Sequence, residues 1–419
     1  MLNERRKWLK AGLATAASGA VPAALVGLGA NSAAWAASSP AAVDRRLVVI
    51  MLRGAVDGLS TVVPYQEANY YRSRPSIAIA RPGETDGLID LDGRFGLHPG
   101  LAVLKPYWDQ GHLGFIHASG SPDSTRSHFD AQDYMESGTP GRKSTSTGWM
   151  NRLLGALNHD APLMRAVNVG VNLPRIYAGP GNIATIASGD AATRPLATDR
   201  PLVNDAFARL YSGDDSMSQA FREAGVTRRE IIAGLDGVDT QADNGAVSLR
   251  GFAQDANRLG SLIRRDARVQ LGFIAVGGWD THVNQGAGRG QLAGKFAQLG
   301  EGLSVLSKSL GERFADTIIV VMSEFGRTVR QNGNNGTDHG HGNVIWLLGG
   351  AVNGRRVHGE WPGLDDSALY EGRDLAVTTD FRHVVADLCG RHLRLTDRQL
   401  AGVFTEMPQM PVSMSTLKT

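Results

Sequence analysis

The stretch that decides the fold is Asp316–Gly350, which reads DTIIVVMSEFGRTVRQNGNNGTDHGHGNVIWLLGG. Two apolar runs in it, Thr317–Met322 and Val344–Leu348, are short, apolar and bounded by polar residues, so they predict buried strands. The loop between them is rich in glycine and asparagine, which favour tight turns with positive φ. Because the first run ends directly on Ser323-Glu324, the stretch predicts polar side chains at the carboxyl end of a strand.

The loop inside this stretch carries Asp338, His339 and His341. Carboxylate oxygens and imidazole nitrogens a few residues apart are suitable ligands for a divalent metal ion, and glycines let the backbone aim them at one point. With Glu324 at the preceding strand end, the pattern predicts a metal site. The alternative interpretation is a glycine- and asparagine-rich hairpin with solvated polar residues.

A second strand end carries the same chemistry. The apolar run Val269–Val276 is followed by Gly277-Gly278-Trp279 and then by Asp280 and His282. Alternate residues of an extended segment point to the same side, so this Asp-x-His pair can bind one metal ion. A hydrogen-bonded turn is the alternative. The helix predicted over Leu292–Leu310 returns the chain to the strand at Thr317, and this order predicts parallel neighbouring strands.

The first predicted strand, Arg46–Leu52, leads to a further candidate ligand. Asp57 follows it, and an aspartate just past the first strand of a parallel sheet faces the crevice where such folds bind ligands. A turn aspartate before Gly58 is the alternative interpretation.

The strand predicted over Leu113–Ala118 leads to candidate catalytic residues at the start of a helix. Ser127, three residues before Asp130, has the spacing of a helix cap. A hydroxyl there is also placed to attack a phosphate or sulfate, because free N–H groups at a helix start favour an oxyanion. Arg126 could contact that oxyanion with two N–H groups. The catalytic candidates are therefore Ser127, Arg126 and His128, with Ser124 and Thr125 as alternative nucleophiles.

Composition excludes several classes of protein. The chain has 419 residues and a formal net charge of +2, and no basic run interleaved with aromatic residues indicates nucleic-acid binding. Its 52 glycines cluster beside polar residues at predicted strand ends, as is typical of an α/β enzyme. The single cysteine, Cys389, excludes an intramolecular disulfide and is predicted to be a small buried residue.

The first 36 residues have the features of an export signal. Arg5-Arg6 resembles the twin-arginine motif, an Ala/Gly-rich stretch follows, and a small-x-small cleavage site precedes Ala37. The pattern predicts a cleaved twin-arginine signal peptide over residues 1–36, the twin-arginine translocase as partner, and a periplasmic or secreted protein without a stable membrane span. An uncleaved N-terminal anchor is the alternative. Residues 45–405 are predicted to form a single domain with a helical excursion near 204–265.

Five motifs, in order, carry a resemblance that covers roughly residues 45–405: RGAVDGLSTVVPY, GSPDSTRSHFDAQDYMESG, GGWDTH, SEFGRT and NGNNGTDHGHGN. Together they resemble the exported bacterial family called domain of unknown function 1501, which is similar to the alkaline phosphatase/sulfatase superfamily. That resemblance implies a mostly parallel central sheet flanked by helices, with a metal site at the strand ends. It implies that the site residues are Asp57, Ser127, Asp280, His282, Glu324, and His339 or His341.

One position departs from the superfamily pattern. Phe325 follows Glu324 where the wider superfamily often has histidine, so a complete second metal site requires Asp338 or His128 as the replacement ligand. One or two divalent ions are expected, with zinc favoured by the histidines and manganese, calcium or magnesium compatible with the carboxylates. The predicted function is an exported hydrolase of a small-molecule or glycan phosphate or sulfate ester. The alternative is a non-catalytic cell-envelope protein for binding or assembly with a degenerate site.

Overall fold

The computed structural model describes residues 45–157, 165–189, 201–215, 217–219, 246–406 and 415–418. By their contacts, the described residues, which begin at Arg45, belong to one compact unit. The proposed signal peptide lies outside the described residues. In the described part of the chain, no helix is long and apolar enough to cross a membrane.

The main sheet has nine strands among the described residues. They are β1 (Arg46–Leu52), β5 (Leu113–Gly120), β6 (Ala166–Val169), β7 (Ala184–Ile186), β8 (Leu271–Val276), β9 (Thr317–Ser323), β10 (Asn343–Gly349), β11 (Val357–His358) and β12 (Thr379–Asp380). Their order is β11-β5-β10-β9-β1-β8-β6-β7, and β12 pairs with β5. A small second sheet contains β2 (Val62–Val63), β3 (Ile89–Asp90) and β4 (Gly96–Leu97).

All pairings in the main sheet are parallel except those of β10, which runs antiparallel to both β9 and β5. The carboxyl ends of the other strands therefore meet at one edge, and β10 brings its N-terminal end to that edge. Loops that follow β1, β5, β8 and β9 and the loop that precedes β10 are all gathered there.

The α-helices lie on both faces of the sheet. They are α1 (Gly58–Thr61), α2 (Ala68–Ser73), α3 (Lys105–Asp109), α4 (His128–Ser137), α5 (Trp149–Ala156), α6 (Pro201–Leu210), α7 (Leu249–Arg265), α8 (Gln291–Leu310), α9 (Phe381–Arg391) and α10 (Asp397–Val403). Short 3₁₀ helices span Pro99–Leu104, Arg175–Tyr177, Gly311–Asp316 and Asp366–Ala368.

The central strand β1 contributes to both hydrophobic cores. Val48 and Ile50 pack into the core formed with α7 and α8, whereas Leu47 and Val49 pack into the core formed with α5 and α9. Successive strand residues point to opposite faces, so a strand covered on both sides must be apolar throughout. Full burial of such a side chain is worth about 1.5–3 kcal/mol, so the RLVVIML run fixes β1 at the centre of the molecule.

The predicted fold class, a mostly parallel central sheet flanked by helices, is confirmed. One detail of the predicted order is wrong: β8 and β9 are parallel but not adjacent, because β1 pairs with both of them. Within the predicted helical excursion near 204–265, the structure describes the helices α6 and α7. Residues 220–245 between them lie outside the described residues.

Candidate metal centre

Four side chains meet where the strand ends gather. Asp280 and His282 lie on the loop after β8, and His339 lies on the loop before β10. His128 is the first residue of α4, which follows β5. These four residues come from two loops and the start of a helix, so the sheet topology, rather than sequence proximity, brings them together.

The start of α4 is fixed by a cap. Ser127 has an extended backbone, and its side chain accepts a hydrogen bond from the Asp130 N–H at 3.5 Å. A capping serine of this kind satisfies one of the free N–H groups of the first turn. The cap sets where the helix begins, and therefore where the side chain of His128 projects.

The ring nitrogens of the three histidines converge. The Nε2 atom of His339 lies 3.0 Å from Nε2 of His128 and 3.1 Å from Nε2 of His282. The Asp280 carboxylate closes the cluster, at 2.9 Å from Nε2 of His282, 3.4 Å from Nε2 of His339 and 3.6 Å from Nε2 of His128. His128, Asp280 and His339 can each offer one ligand atom within 4.8 Å of the others.

The opposite nitrogen of each ring is held by an acceptor. Nδ1 of His128 lies 2.8 Å from the Glu324 carboxylate, and Nδ1 of His282 lies 3.1 Å from the Asp338 carboxylate. Nδ1 of His339 lies 2.8 Å from the backbone carbonyl of Arg126. A carbonyl or carboxylate oxygen accepts, so each Nδ1 carries the proton and, in the neutral ring, each Nε2 is left with a lone pair.

Converging nitrogens of this kind repel one another unless a cation lies between them, either a proton shared with the Asp280 carboxylate or a metal ion. Metal-bound histidines characteristically donate their other N–H group to a carboxylate or carbonyl, which is the arrangement found for all three rings. Imidazole nitrogens with one carboxylate also form a suitable donor set for zinc. The residues present therefore fit a divalent metal ion.

The charges around the cluster also favour a cation. Burial by itself would lower the pKa of His128, but Asp280 and Glu324 raise it to about 9. Burial opposes ionisation of Asp280, yet hydrogen bonds from His128 and His339 and the Arg327 guanidinium hold its pKa well below the usual range. Glu324 is fully buried, and bonds from His128 and Gln132 hold its pKa low despite desolvation. The carboxylates are thus ionised and attract positive charge.

Arg327 fixes the backbone around the cluster. Its buried guanidinium donates to the carbonyls of Gly54, Ala55 and Thr337 and to the Asp280 carboxylate. A planar group with five donors can hold several chain segments at once. Arg327 therefore links the loop after β1, the loop before β10 and a cluster carboxylate.

Phe325 forms an apolar wall beside the cluster. Its ring stacks on His128 with centroids 4.9 Å apart and lies 5.1 Å from the ring of His339. The side chain is 3% exposed and also packs against Ala55 and Ala131. Phe325 therefore supports two of the cluster imidazoles by packing.

Several residues predicted from the sequence lie elsewhere. The Asp57 carboxylate is outside the cluster: Arg74 donates to both of its oxygens, at 2.6 and 3.0 Å, and Ser60 and Gln285 donate to one of them. Burial would raise the pKa of this carboxyl group, but Arg74 holds it low, so Asp57 is the buried ion-pair partner of Arg74 and lies outside the histidine cluster.

Four more predicted residues have other contacts. The Arg126 guanidinium is paired with Glu371 and Asp374, each at 2.7 Å, so it is not directed at an incoming oxyanion. His341 is outside the cluster and packs on Tyr370, with ring centroids 4.5 Å apart. Glu324 and Asp338 contact the imidazoles through Nδ1 and so orient the cluster histidines from behind.

Two residues of the site were not predicted from the sequence. Gln132 donates to Glu324 at 3.0 Å, and Arg327 contacts Asp280. Gln132 lies four residues after His128, a spacing that places both on one helix face. An arginine four residues beyond the end of an apolar strand, inside a glycine-containing motif, was the available signal for Arg327.

The family described as "Protein of unknown function (DUF1501)" matches residues 111–404. No curated protein matches the chain. A protein in the alkaline phosphatase superfamily from Vibrio parahaemolyticus is similar in structure, at 10% identity and a TM-score of 0.37 over 75% of this chain and 63% of that one.

Two further solved structures are similar at 12% identity. They are the lipoteichoic acid synthase LtaP from Listeria monocytogenes, with a TM-score of 0.34 over 74% of this chain and 66% of that one, and the C-terminal periplasmic domain of EcEptC from Escherichia coli in complex with Zn, with a TM-score of 0.33 over 73% and 72%. The chain spans less than two thirds of the Vibrio and Listeria structures.

Proposed function

The chain belongs to the DUF1501 family, and from the geometry of its metal centre we propose that it is a metal-dependent hydrolase of a phosphate or sulfate ester. The observation that carries the proposal is the convergence of three imidazole Nε2 atoms on one carboxylate, with every Nδ1 held by an acceptor. An arrangement in which outer acceptors orient each ligand is characteristic of metal sites.

His128, Asp280, His282 and His339 are the proposed ligands, and Glu324 and Asp338 orient two of the imidazoles. The donor set favours zinc, while manganese, calcium or magnesium remain compatible with its carboxylate. Phe325 packs against the two rings on one side, which favours one ion rather than two. When bound, a divalent ion supplies Lewis acidity toward an ester oxygen or a water molecule.

The proposed reaction is hydrolysis at phosphorus or sulfur. The attacking oxygen forms a bond to that atom, the bond from that atom to the alcohol oxygen breaks, and the proton lost by the attacking group ends on the alcohol. The attacking oxygen is that of Ser127, which caps α4 beside His128, or that of water. If Ser127 attacks, water cleaves the resulting serine ester in a second step and restores the hydroxyl.

Two variants of Ser127 distinguish these routes. Ser127→Asn keeps a good helix cap but has no hydroxyl, whereas Ser127→Ala loses both the cap and the hydroxyl. If Ser127 is the nucleophile, both variants lose ester turnover. If water attacks directly, Ser127→Asn keeps its turnover, and Ser127→Ala shows only a loss of stability of about 1 kcal/mol.

The decisive experiment measures metal content and ester turnover together. The purified protein is expected to retain about one equivalent of zinc and to hydrolyse members of a panel of aryl phosphates, phosphodiesters and sulfates. His128→Ala and His339→Ala are expected to lose both properties. His358→Ala is the control, because its Nε2 contacts the backbone carbonyl of Asn353. Zinc retention without any turnover would instead support a metal-stabilised binding or assembly protein of the cell envelope.

We also propose that the protein is exported by the twin-arginine translocase and acts in the periplasm or outside the cell. The Arg5-Arg6 pair and the following Ala/Gly-rich stretch support this location. Residues 45–405 are proposed as the single catalytic domain. Replacing Arg5-Arg6 with two lysines is expected to retain the protein in the cytoplasm, as fractionation would show.

A further inference from the structure

We infer that the site selects an ester whose transferred group carries one negative charge and whose organic part is apolar, in preference to a dianionic phosphate monoester. Sulfate monoesters and phosphate diesters share this chemistry. The inference rests on the proposed function and specifies its substrate class. It is carried by the charges that contact the centre and by two exposed side chains beside it.

The charges in direct contact with the cluster balance a divalent ion. Three carboxylates contact the imidazoles, namely Asp280, Glu324 and Asp338. One guanidinium, that of Arg327, contacts Asp280. A divalent ion therefore brings the formal charge of this group to zero, and the filled centre has no excess positive charge for a second negative charge on the substrate.

The nearby arginines do not change this balance. Arg126, whose carbonyl holds His339, is paired with Glu371 and Asp374. Arg373 donates to the His339 carbonyl and also contacts Asp374 at 3.2 Å. These two arginines and two carboxylates add no net charge. Moving a dianion out of water costs more than moving a monoanion, so a neutral centre favours the monoanion.

Two large, exposed apolar residues directly follow proposed ligands in the chain. Phe129 follows His128 and is 80% exposed, and Val283 follows His282 and is 52% exposed. Consecutive Cα atoms are about 3.8 Å apart, so each of these residues has its Cα atom at that distance from the Cα atom of a proposed ligand. Exposed apolar side chains at the edge of a binding site are positioned to contact apolar parts of a ligand. Phe129 and Val283 are thus the proposed specificity-determining residues.

Equilibrium binding tests the charge preference without turnover. Calorimetry on zinc-loaded full-length protein at pH 8.5 would compare benzenesulfonate, a monoanion, with phenylphosphonate, a dianion of similar shape. We expect benzenesulfonate to bind about tenfold more tightly. Glu371→Gln removes one carboxylate partner of Arg126 and should reduce this ratio several-fold. Asp266→Asn is the matched control, because Asp266 pairs with Arg268 before the N-terminal end of β8. Equal binding of the two probes, or tighter phosphonate binding, would overturn the charge preference.

The apolar contact is tested with a second pair of probes. Phe129→Ala should weaken benzenesulfonate binding several-fold and leave methanesulfonate binding unchanged. Leu210→Ala, which removes a 70% exposed leucine on α6, is the control for general loss of apolar surface. An unchanged benzenesulfonate affinity in Phe129→Ala would overturn the role of that residue.

Turnover separates this inference from the function on which it rests. Faster hydrolysis of phenyl sulfate or methyl phenyl phosphate than of phenyl phosphate supports the inference, and the faster of the first two identifies the ester class. Hydrolysis that favours phenyl phosphate overturns the inference and leaves the hydrolase proposal standing. Absence of turnover with all three esters, despite bound zinc, overturns the hydrolase proposal itself.

Discussion

At the scale of single residues, the three cluster histidines differ in what holds them. Glu324 holds His128 with a fully buried carboxylate, Asp338 holds His282 with a carboxylate that is 56% exposed, and a backbone carbonyl holds His339. A charge acts more strongly when it is buried, because water screens it less. Among the three imidazoles, that of His128 therefore interacts most strongly with the group that binds its Nδ1 atom.

Removal of the Glu324 charge should weaken metal binding. Glu324→Gln keeps an oxygen for Nδ1 of His128, so we expect a loss of zinc affinity of about tenfold, and Glu324→Ala should lose about 100-fold. Competition with a chromogenic chelator measures both values. Glu301→Gln on the exposed face of α8 serves as the control. Wild-type affinity in Glu324→Ala would show that His128 needs no carboxylate behind it.

Residue types were easier to predict than residue partners. The sequence predicted acidic and histidine ligands at the strand ends, and Asp280, His282 and His339 do lie together there. It did not predict that Arg74, 17 residues further along the chain, donates hydrogen bonds to the Asp57 carboxylate. Nor did it show which of the two histidines, His339 or His341, lies in the cluster. Such choices depend on tertiary contacts, which local sequence spacing does not contain.

At the scale of elements, the loop before β10 packs directly against a segment that carries proposed metal ligands. A Cβ atom placed on Gly336 would lie 2.3 Å from the His282 carbonyl carbon and oxygen, whereas one placed on Gly333 has nothing within 4 Å. Gly336 is thus required by a close approach of two backbone segments, while Gly333 is not.

Gly336→Ala should displace this loop and weaken zinc binding by about tenfold or more, because ligand positions must be held within fractions of an ångström. Gly333→Ala is the matched control and should keep wild-type affinity. Chelator competition and thermal unfolding with and without zinc would measure the effect. Similar zinc affinity in the two variants would mean that the loop can shift without moving His282 or His339.

The elements themselves were largely predictable, because the strands are continuous apolar runs and their ends carry polar residues. The order of the strands in the sheet was harder to predict. The strand, helix, strand sequence from β8 to β9 predicted parallel strands, which is correct, but β1 separates them. An α/β connection can pass over an intervening strand, and local patterns do not specify which strand fills the gap.

At the scale of the whole molecule, three buried histidines predict sensitivity to acid. Burial lowers the pKa values of His98, His117 and His392 to about 4. An unfolded chain protonates its histidines near pH 6.5. Each of the three is therefore neutral in the folded protein, and stability is lost as the pH falls from about 6.5 towards 4.

A variant isolates this effect from other titrating groups. Between pH 7.5 and 5.5, the free energy of unfolding of the wild type should fall by about 1 kcal/mol more than that of His117→Gln, which cannot take up a proton. Urea unfolding at the two pH values, in the same zinc or chelator conditions, gives this difference. Parallel pH dependence in the two proteins would contradict a neutral buried His117.

The position of β1 also governs how the chain can be assembled. This strand is synthesised early, yet the two strands that flank it, β8 and β9, begin at Leu271 and Thr317. During translation, the apolar run Leu47–Leu52 of β1 therefore waits for more than half of the polypeptide to emerge. High contact order of this kind slows folding and leaves time for aggregation. We therefore expect chaperone protection of β1, until β8 and β9 have emerged, to raise the yield of folded protein.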